Sequence, residues 1–266
     1  MHLQLIKERN ISSAIKLVYK YGVTSISALY DTCTAYEWAD LIYNCKDSPI
    51  RYVNIALELF IKDNLELQRA NRWNWLMNFR NDDPIFANEV NELNTIFSIN
   101  NICPNDFAFS VFSVLNELDE KINALKFVGP SNTCKSLIAQ LIVTPFISAY
   151  VNNHNSENEF YLSCFLNKSL CICEELLITP ATAEDFKSIL GGAPLLISKK
   201  YNDKQILRRT PIIVTTNHDK FGRGHLPPID EIALNNRCHI YKFTQNYVPL
   251  CHISINGLAN FLSMNL

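Results

Sequence analysis

One segment decides how this sequence is interpreted: Lys126-Phe127-Val128-Gly129-Pro130-Ser131-Asn132-Thr133-Cys134-Lys135-Ser136. An apolar run ends at its first glycine, and the apolar residues that follow the segment have helical spacing. This order predicts a strand, a phosphate-binding turn and a helix N-terminus, where backbone amides and a lysine bind phosphate. The predicted nucleotide-binding residues are Gly129, Pro130, Ser131, Asn132, Thr133, Cys134, Lys135 and Ser136.

The segment departs from the motif G-x-x-x-x-G-K-[ST] at one position, because Cys134 stands where the motif has its second glycine. A Cβ atom there is expected to strain the backbone by roughly 1–2 kcal/mol or to crowd the phosphates. Two interpretations stay open: a working nucleotide site, or a site that no longer turns over ATP.

The composition is that of a globular protein with 266 residues, 48% of them apolar, and a net charge of −2. Nucleic-acid binding would therefore need a local basic patch. The sequence has nine cysteines, an odd number, and no Cys-x-x-Cys motif. No signal peptide is recognised either, so we predict reduced thiols in an intracellular protein. No apolar run reaches about 18 residues, so we expect no membrane span.

Residues 1–100 have the apolar spacing of helices, and we predict a small helical domain there. Thr34 and Glu37 form a capping-box pattern, and Ser48-Pro49 predicts a helix start. A fourth helix is predicted to start at Asp83-Pro84. The third is predicted to carry Leu65, Trp73, Trp75 and Leu76.

Basic and aromatic residues lie close together near the end of this region. They could stack on single-stranded nucleic acid, or they could form a core helix whose arginines face water, and the second interpretation is preferred. The residues are Arg69, Arg72, Trp73, Trp75 and Arg80.

Residues 101–250 alternate between strand and helix patterns, which predicts an α/β fold with a mostly parallel sheet between helices. The domain boundary is placed near residue 100, and residues 251–266 are interpreted as a C-terminal tail. The predicted strands are 124–128, 146–151, 168–173, a pair near 194–209, 211–216 and 238–243, with helices at 135–144 and 181–190.

Polar residues follow two of these strands. Glu174 and Glu175 end an apolar strand, and Asn217 ends another. In a parallel sheet these ends lie beside the phosphate-binding turn. Glu174 would hold Mg²⁺ together with Ser136, Glu175 would polarise the attacking water, and Asn217 would contact the γ-phosphate or that water. The plainer alternatives are surface turns after strands.

With these motifs in order, the segment 101–243 resembles the superfamily 3 helicase domain of small DNA viruses, most of all that of the large non-structural replication protein of parvoviruses. Beyond the residues above, the resemblance includes Gly191-Gly192, Thr210-Pro211 and Arg237. It implies an AAA+ type P-loop NTPase that binds ATP and Mg²⁺ between the subunits of a ring, commonly a hexamer. It also implies 3′-to-5′ movement on DNA and a location in the host nucleus.

The resemblance assigns two further roles. Arg237 matches the arginine finger that reaches the neighbour's γ-phosphate. The segment after Gly191-Gly192 matches a hairpin that projects into the pore, where Lys199, Lys200 and Lys204 would contact single-stranded DNA. Arg208 and Arg209 add to its charge, and a solvated charged hairpin is the alternative.

The chain is expected to lack the nicking activity of the full-length family proteins, because no two of its six histidines are separated by a single residue. The leading prediction is an ATP-dependent DNA helicase, with Lys135, Glu175, Asn217 and Arg237 as catalytic residues. The rival is an impaired ring-forming or DNA-binding remnant. A small-molecule P-loop kinase is disfavoured by the basic hairpin and by the arginine finger.

Overall fold

The computed structural model describes residues 2–45, 48–151, 160–199 and 202–266, and it divides into two compact units between Arg69 and Ala70. The boundary predicted near residue 100 is thus placed about thirty residues too late. The reason is that the helices between residues 70 and 100 bury their apolar side chains in the core of the second unit.

The first unit is helical, as predicted. Thr34 caps its third helix: its hydroxyl accepts from the Glu37 amide, and the Glu37 carboxylate accepts from the Thr34 amide. The fourth helix begins at Pro49, directly after Ser48. The helices are α1 (His2–Tyr21), α2 (Ile26–Thr32), α3 (Ala35–Asn44) and α4 (Pro49–Ala70). Their shared core includes Ala14, Val18, Leu29, Leu41, Val53, Ala56 and Leu57.

The predicted third helix is in fact two elements, because α4 carries Leu65 and the tryptophans lie on a separate short helix. Asp83 caps a short 3-10 turn, and a longer helix follows at once. These elements are α5 (Arg72–Met77), the turn Pro84–Phe86, α6 (Ala87–Ile99) and α7 (Pro104–Leu115).

The basic and aromatic cluster near residue 70 is largely interior. Arg72 is 2% exposed, donates to the Ser169 carbonyl at 2.8 Å and forms an ion pair with Glu117 at 2.7 Å. Trp73 is buried, and the indole N–H of Trp75 donates to a backbone carbonyl. The core interpretation is therefore confirmed for the tryptophans, whereas Arg72 is buried and paired instead of facing water.

The second unit is built on a parallel five-stranded sheet with strand order β2-β3-β6-β1-β7. A two-stranded antiparallel hairpin, β4-β5, lies outside this sheet. The strands are β1 (Ala124–Val128), β2 (Ser148–Val151), β3 (Leu170–Glu174), β4 (Leu195–Lys199), β5 (Asn202–Leu207), β6 (Ile212–Thr216) and β7 (Cys238–Lys242). The helices are α8 (Lys135–Val143), α9 (Ala183–Leu190), α10 (Pro228–Asn235) and α11 (Ile255–Met264).

Side chains of each strand alternate between two cores, one on each face of the sheet. In β1, Leu125 and Phe127 pack with α5 to α8 and α11, whereas Ala124 packs with α9, α10 and the hairpin. The strands are apolar on both faces for this reason, as expected of a sheet covered on both sides. The predicted α/β fold, a parallel sheet between helices after a helical region, is confirmed.

The interpretation of residues 251–266 as a C-terminal tail is wrong. Residues 255–264 form α11, which packs in the core that contains Leu125 and Phe127. Ser254 caps the helix, and Leu258, Phe261 and Leu262 are fully buried. The physical reason is that residues 255–264 have an amphipathic helical pattern, and the apolar face of this helix packs against α6. None of the helices in the described ranges combines the length and apolar character that crossing a bilayer requires.

Candidate nucleotide site

The phosphate-binding turn begins where strand β1 ends, and a close backbone contact fixes its first residue. The Gly129 amide donates to the Thr216 carbonyl at 3.0 Å, and the Phe243 amide donates to the Val128 carbonyl at 2.7 Å. A Cβ atom on Gly129 would lie 1.7 Å from the Phe243 carbonyl oxygen, so only glycine fits there. The turn is therefore anchored to both neighbouring strands of the sheet.

Two residues of the turn adopt left-handed backbone conformations. Asn132 has φ 63° and Cys134 has φ 64°. Asparagine tolerates this region, but cysteine does so at a steric cost. Cys134 thus takes the conformation for which the motif's missing glycine is suited, and it does so immediately before the first residue of α8.

The Cys134 side chain is held away from the centre of the turn. Its thiol donates to the Tyr247 carbonyl with a sulfur–oxygen distance of 3.2 Å, and the sulfur packs against the apolar core. Burial raises the pKa of this thiol, so it stays protonated and remains a donor at neutral pH. The cysteine thereby ties the phosphate-binding turn to the segment after β7.

Lys135 is 7% exposed and projects across the turn. Its ammonium donates to the Pro130 carbonyl and to Asn217 Oδ1, both at 2.9 Å. Burial lowers the pKa of Lys135, while the carboxylates of Glu175 and Glu174 oppose that change. A phosphate group would give this cation a stronger partner than the two neutral oxygens that it now contacts.

A cavity of about 720 Å³ brings the predicted residues together. Ser131 to Ser136 line it, with Glu174, Glu175 and Asn217 from the ends of β3 and β6. Gly129 and Pro130 line an adjoining depression that also reaches Asn217. The volume is in the range of sites for ligands of drug-like size.

Glu175 is fixed by the strand beside it and by a cation that the sequence analysis missed. One carboxylate oxygen accepts from the Asn217 amide at 3.0 Å, and the other lies 3.6 Å from the Arg223 guanidinium. Arg223 also donates to the Glu175 carbonyl. The sequence signal for Arg223 was its position between two glycines, in Gly222-Arg223-Gly224. The sequence pattern does not show that the fold brings this arginine to the end of β3.

The loop after Asn217 is supported by buried charges. Lys126, fully buried on β1, donates to the Asp219 carbonyl at 2.6 Å and to Asn235 Oδ1 at 3.0 Å. Glu231 on α10 accepts from two consecutive amides of the same loop. Burial lowers the pKa of Lys126. These contacts connect the loop after Asn217, whose side chain accepts from Lys135, to α10, the helix that precedes Arg237.

Arg237 does not line the cavity of its own chain. It lies in a separate depression of about 620 Å³, donates to the Ala233 carbonyl and packs beside Gly191. The exposed side chains of Ile229 and Ile232 line the same depression. The structure therefore brings the predicted catalytic and metal-binding residues together in one cavity, except for Arg237; they are Lys135, Ser136, Glu174, Glu175 and Asn217.

The predicted hairpin is present as β4 and β5, paired in an antiparallel register that includes Lys199 opposite Asn202. Lys204 is exposed on β5, whereas Lys200 lies outside the described residues. Arg209 is not part of the hairpin's basic surface, because its guanidinium donates to Asn123 and to two backbone carbonyls between residues 119 and 122. It anchors the start of β6 instead.

The opposite wall of the cavity was not predicted from the sequence. It consists of the segment 246–250, which we call the strap; its residues Asn246 to Pro249 line the cavity. Glu92 on α6 accepts from the Tyr247 hydroxyl at 2.8 Å and from the Leu250 amide at 3.0 Å. The Tyr247 amide donates to the Asn132 carbonyl. No short sequence pattern predicts such a wall, because contacts between residues that are distant in sequence hold it in place.

A family model described as "Parvovirus non-structural protein NS1" matches residues 50–220, more than half of the chain. The chain belongs to this family. The initiator protein NS1 of human bocavirus 2 is 32% identical over 116 residues, which cover 44% of this chain and 15% of the bocavirus protein. The corresponding protein of Junonia coenia densovirus is 24% identical over 249 residues, covering 85% of this chain and 44% of the relative. The chain thus spans less than half the length of either relative.

Solved structures show the same fold at low identity. The X-ray structure of JCV helicase has a TM-score of 0.54 and 13% identity, and the match covers 88% of this chain and 77% of that one. The C-terminal region of NrS-1 has a TM-score of 0.50 and 14% identity, covering 71% and 48% respectively. At such identities the similarity supports the helicase-like architecture of this NS1-family chain and does not assign its residues.

Proposed function

We propose that this NS1-family chain is an ATP-dependent, ring-forming DNA helicase module for viral DNA replication. One observation carries the proposal: Lys135, Glu174, Glu175 and Asn217 line one cavity next to a phosphate-binding turn. A cation, two carboxylates and an amide are the groups that phosphoryl transfer to water requires. The family membership and the helicase-like fold support the same conclusion.

Each group has a distinct role in this proposal. The amides of 131–135 and the N-terminus of α8 bind the phosphates, together with Lys135. Glu175 accepts the proton of the attacking water, and Arg223 holds its carboxylate in place. Asn217 contacts both Lys135 and the Glu175 carboxylate, so it is positioned to respond to the γ-phosphate.

Ser136 and Glu174 are suited to Mg²⁺, because a hydroxyl and a carboxylate are the hard oxygen ligands that this ion takes. Both residues line the cavity. Within the described residues no cluster of three or more His, Cys, Asp or Glu side chains could hold a metal, which fits an ion that relies on substrate phosphates and waters for its other ligands. Bound there, Mg²⁺ would neutralise charge on the phosphates.

The assembly and the DNA contacts rest on the resemblance and on two features of the structure. Arg237 lies outside its own cavity, as an arginine that acts on a neighbouring subunit must. Lys199 and Lys204 belong to strands β4 and β5 of the hairpin. The resemblance groups Lys200 with them, and these cations would contact the backbone of single-stranded DNA. We propose a hexameric ring, 3′-to-5′ movement and action in the host nucleus on this basis.

Replacing Lys135 with alanine tests the site directly. DNA-stimulated ATP hydrolysis should fall at least about a hundredfold, because the cation on the phosphates is lost. Lys62→Ala is the control, since Lys62 is exposed on α4. The rate of phosphate release from ATP, measured with and without single-stranded DNA, should be unchanged in the control. A Lys135→Ala protein with wild-type activity would refute the assignment.

A second candidate is an impaired ring-forming or DNA-binding remnant, which the left-handed backbone of Cys134 favours. The Cys134→Gly variant separates the two. A large rise in ATP hydrolysis on restoring glycine would identify an intact but slowed motor. Near-zero rates in both proteins, with binding of single-stranded DNA retained, would establish the remnant.

A further inference from the structure

We infer that residues 246–249 of the strap form the subsite for the base and ribose of the nucleotide, and that Cys134 and Glu92 hold this wall in place. The inference rests on the proposed function, because it concerns the other end of the same ligand. It assigns roles to Glu92 and to the strap, which neither the sequence motifs nor the phosphate-binding turn identify.

The order of the strands sets the direction of the ligand. The phosphate-binding turn follows β1, which lies between β6 and β7. Glu174 and Asn217 come from β3 and β6 on one side, whereas the strap follows β7 on the other. A triphosphate with its terminal phosphate near Glu175 therefore directs its nucleoside end towards the strap.

The chemistry of the strap suits a flat heterocycle. Val248 and Pro249 supply apolar surface, and Asn246 supplies an amide that can both donate and accept. Val248 is 79% exposed, which is unusual for valine, and a bound base would cover its side chain. An apolar surface with a polar group beside it is typical of the parts of small-molecule sites that bind a ring.

The strap is held in place from two directions. Glu92 binds it from α6 through the Tyr247 hydroxyl and the Leu250 amide. On the other side, the Cys134 thiol and the Asn132 carbonyl bond to the backbone of Tyr247. Both ends of the ligand thus contact parts of the chain that are hydrogen-bonded to each other, which is pre-organisation for binding.

Val248→Ser tests the subsite, with Leu250→Ser as its matched control. Leu250 is 90% exposed, lies two residues along the strap and does not line the cavity. Isothermal titration calorimetry would measure the affinities of ADP and of inorganic tripolyphosphate, which has no nucleoside. We expect Val248→Ser to weaken ADP binding about tenfold and to leave tripolyphosphate binding within about twofold.

Glu92→Gln tests the support of the strap in the same way. As a positioning residue it should lower the affinity for ADP while the affinity for tripolyphosphate stays the same, a difference that general destabilisation would not produce. The Leu250→Ser protein should match the wild type with both probes.

The outcomes separate the two proposals. Equal binding of ADP by the wild type and Val248→Ser, or equal losses with both probes, would overturn the subsite while leaving the phosphate site intact. Lys135→Ala should weaken both probes, and wild-type protein that binds neither would overturn the nucleotide site itself.

Discussion

Replacing Cys134 by alanine and by glycine should give an unusual order of stability. Within helices and strands alanine is more stable than glycine, because glycine loses more backbone entropy on folding. At Cys134 the backbone is left-handed, with φ 64° and ψ 4°, so the order should be reversed. The prediction concerns the free energy of unfolding in the absence of nucleotide.

The magnitude follows from two opposing effects. Removing Cβ from a left-handed residue relieves about 1–2 kcal/mol, and the extra entropy of glycine costs about 0.5–1 kcal/mol. The glycine variant should therefore be more stable than the alanine variant by about 0.5–1 kcal/mol. Alanine keeps the strain and loses the thiol's bond to Tyr247, so it should be less stable than wild type by about 1 kcal/mol.

Thermal unfolding and urea titration would measure these differences. For a unit of this size, 1 kcal/mol corresponds to about 2–4 °C in Tm. Glu58 provides the control, because it is exposed in the interior of helix α4. Glycine at that position should be less stable than alanine. If alanine at position 134 proved as stable as glycine, the left-handed conformation and the strain argument would both be refuted.

Two further predictions concern charges outside the cavity. Arg72→Met should lower the free energy of unfolding by about 3 kcal/mol, because it leaves buried acceptors without their cation, whereas Arg80→Met should change it by less than about 0.5 kcal/mol, since the ion pair of Arg80 is exposed. Equal effects in urea titrations would contradict this. Hydrogen bonds from Lys20 and then Tyr21 lower the pKa of Glu37 from 4.5 to about 2. A lowered pKa stabilises the fold above pH 4.5, and this contribution is lost as pH falls towards 2, so far-UV circular dichroism should show a smaller acid-induced loss of stability in Glu37→Gln than in wild type.

The sequence predicted those parts of the fold that local patterns encode. Strand β1, the phosphate-binding turn and α8 were placed correctly, because apolar runs and a glycine-lysine pattern mark them. Glu174, Glu175 and Asn217 were expected to lie close together, because parallel strands carry their ends to one edge of the sheet. Their convergence on one cavity is what the pattern implied.

The parts that were missed depend on contacts distant in sequence. The strap is positioned by Glu92, more than 150 residues earlier in the chain, and no short window shows that pairing. Arg209 was counted with the hairpin cations because charge patterning does not distinguish a solvated guanidinium from one bonded to backbone carbonyls. The unit boundary was misplaced because α6 has the same helical spacing whichever core it joins.

The position of α11 has a consequence for synthesis of the protein. This helix packs against α6, α7 and α8, although more than a hundred residues separate it from each of them. The core beneath the phosphate-binding turn therefore stays open, with Phe97 and Phe127 incompletely covered, until residues 255–264 have emerged from the ribosome. Contacts at such separation also slow folding after release. Completion of this core should consequently follow translation of α11, and the nascent chain before that point exposes more apolar surface to aggregation.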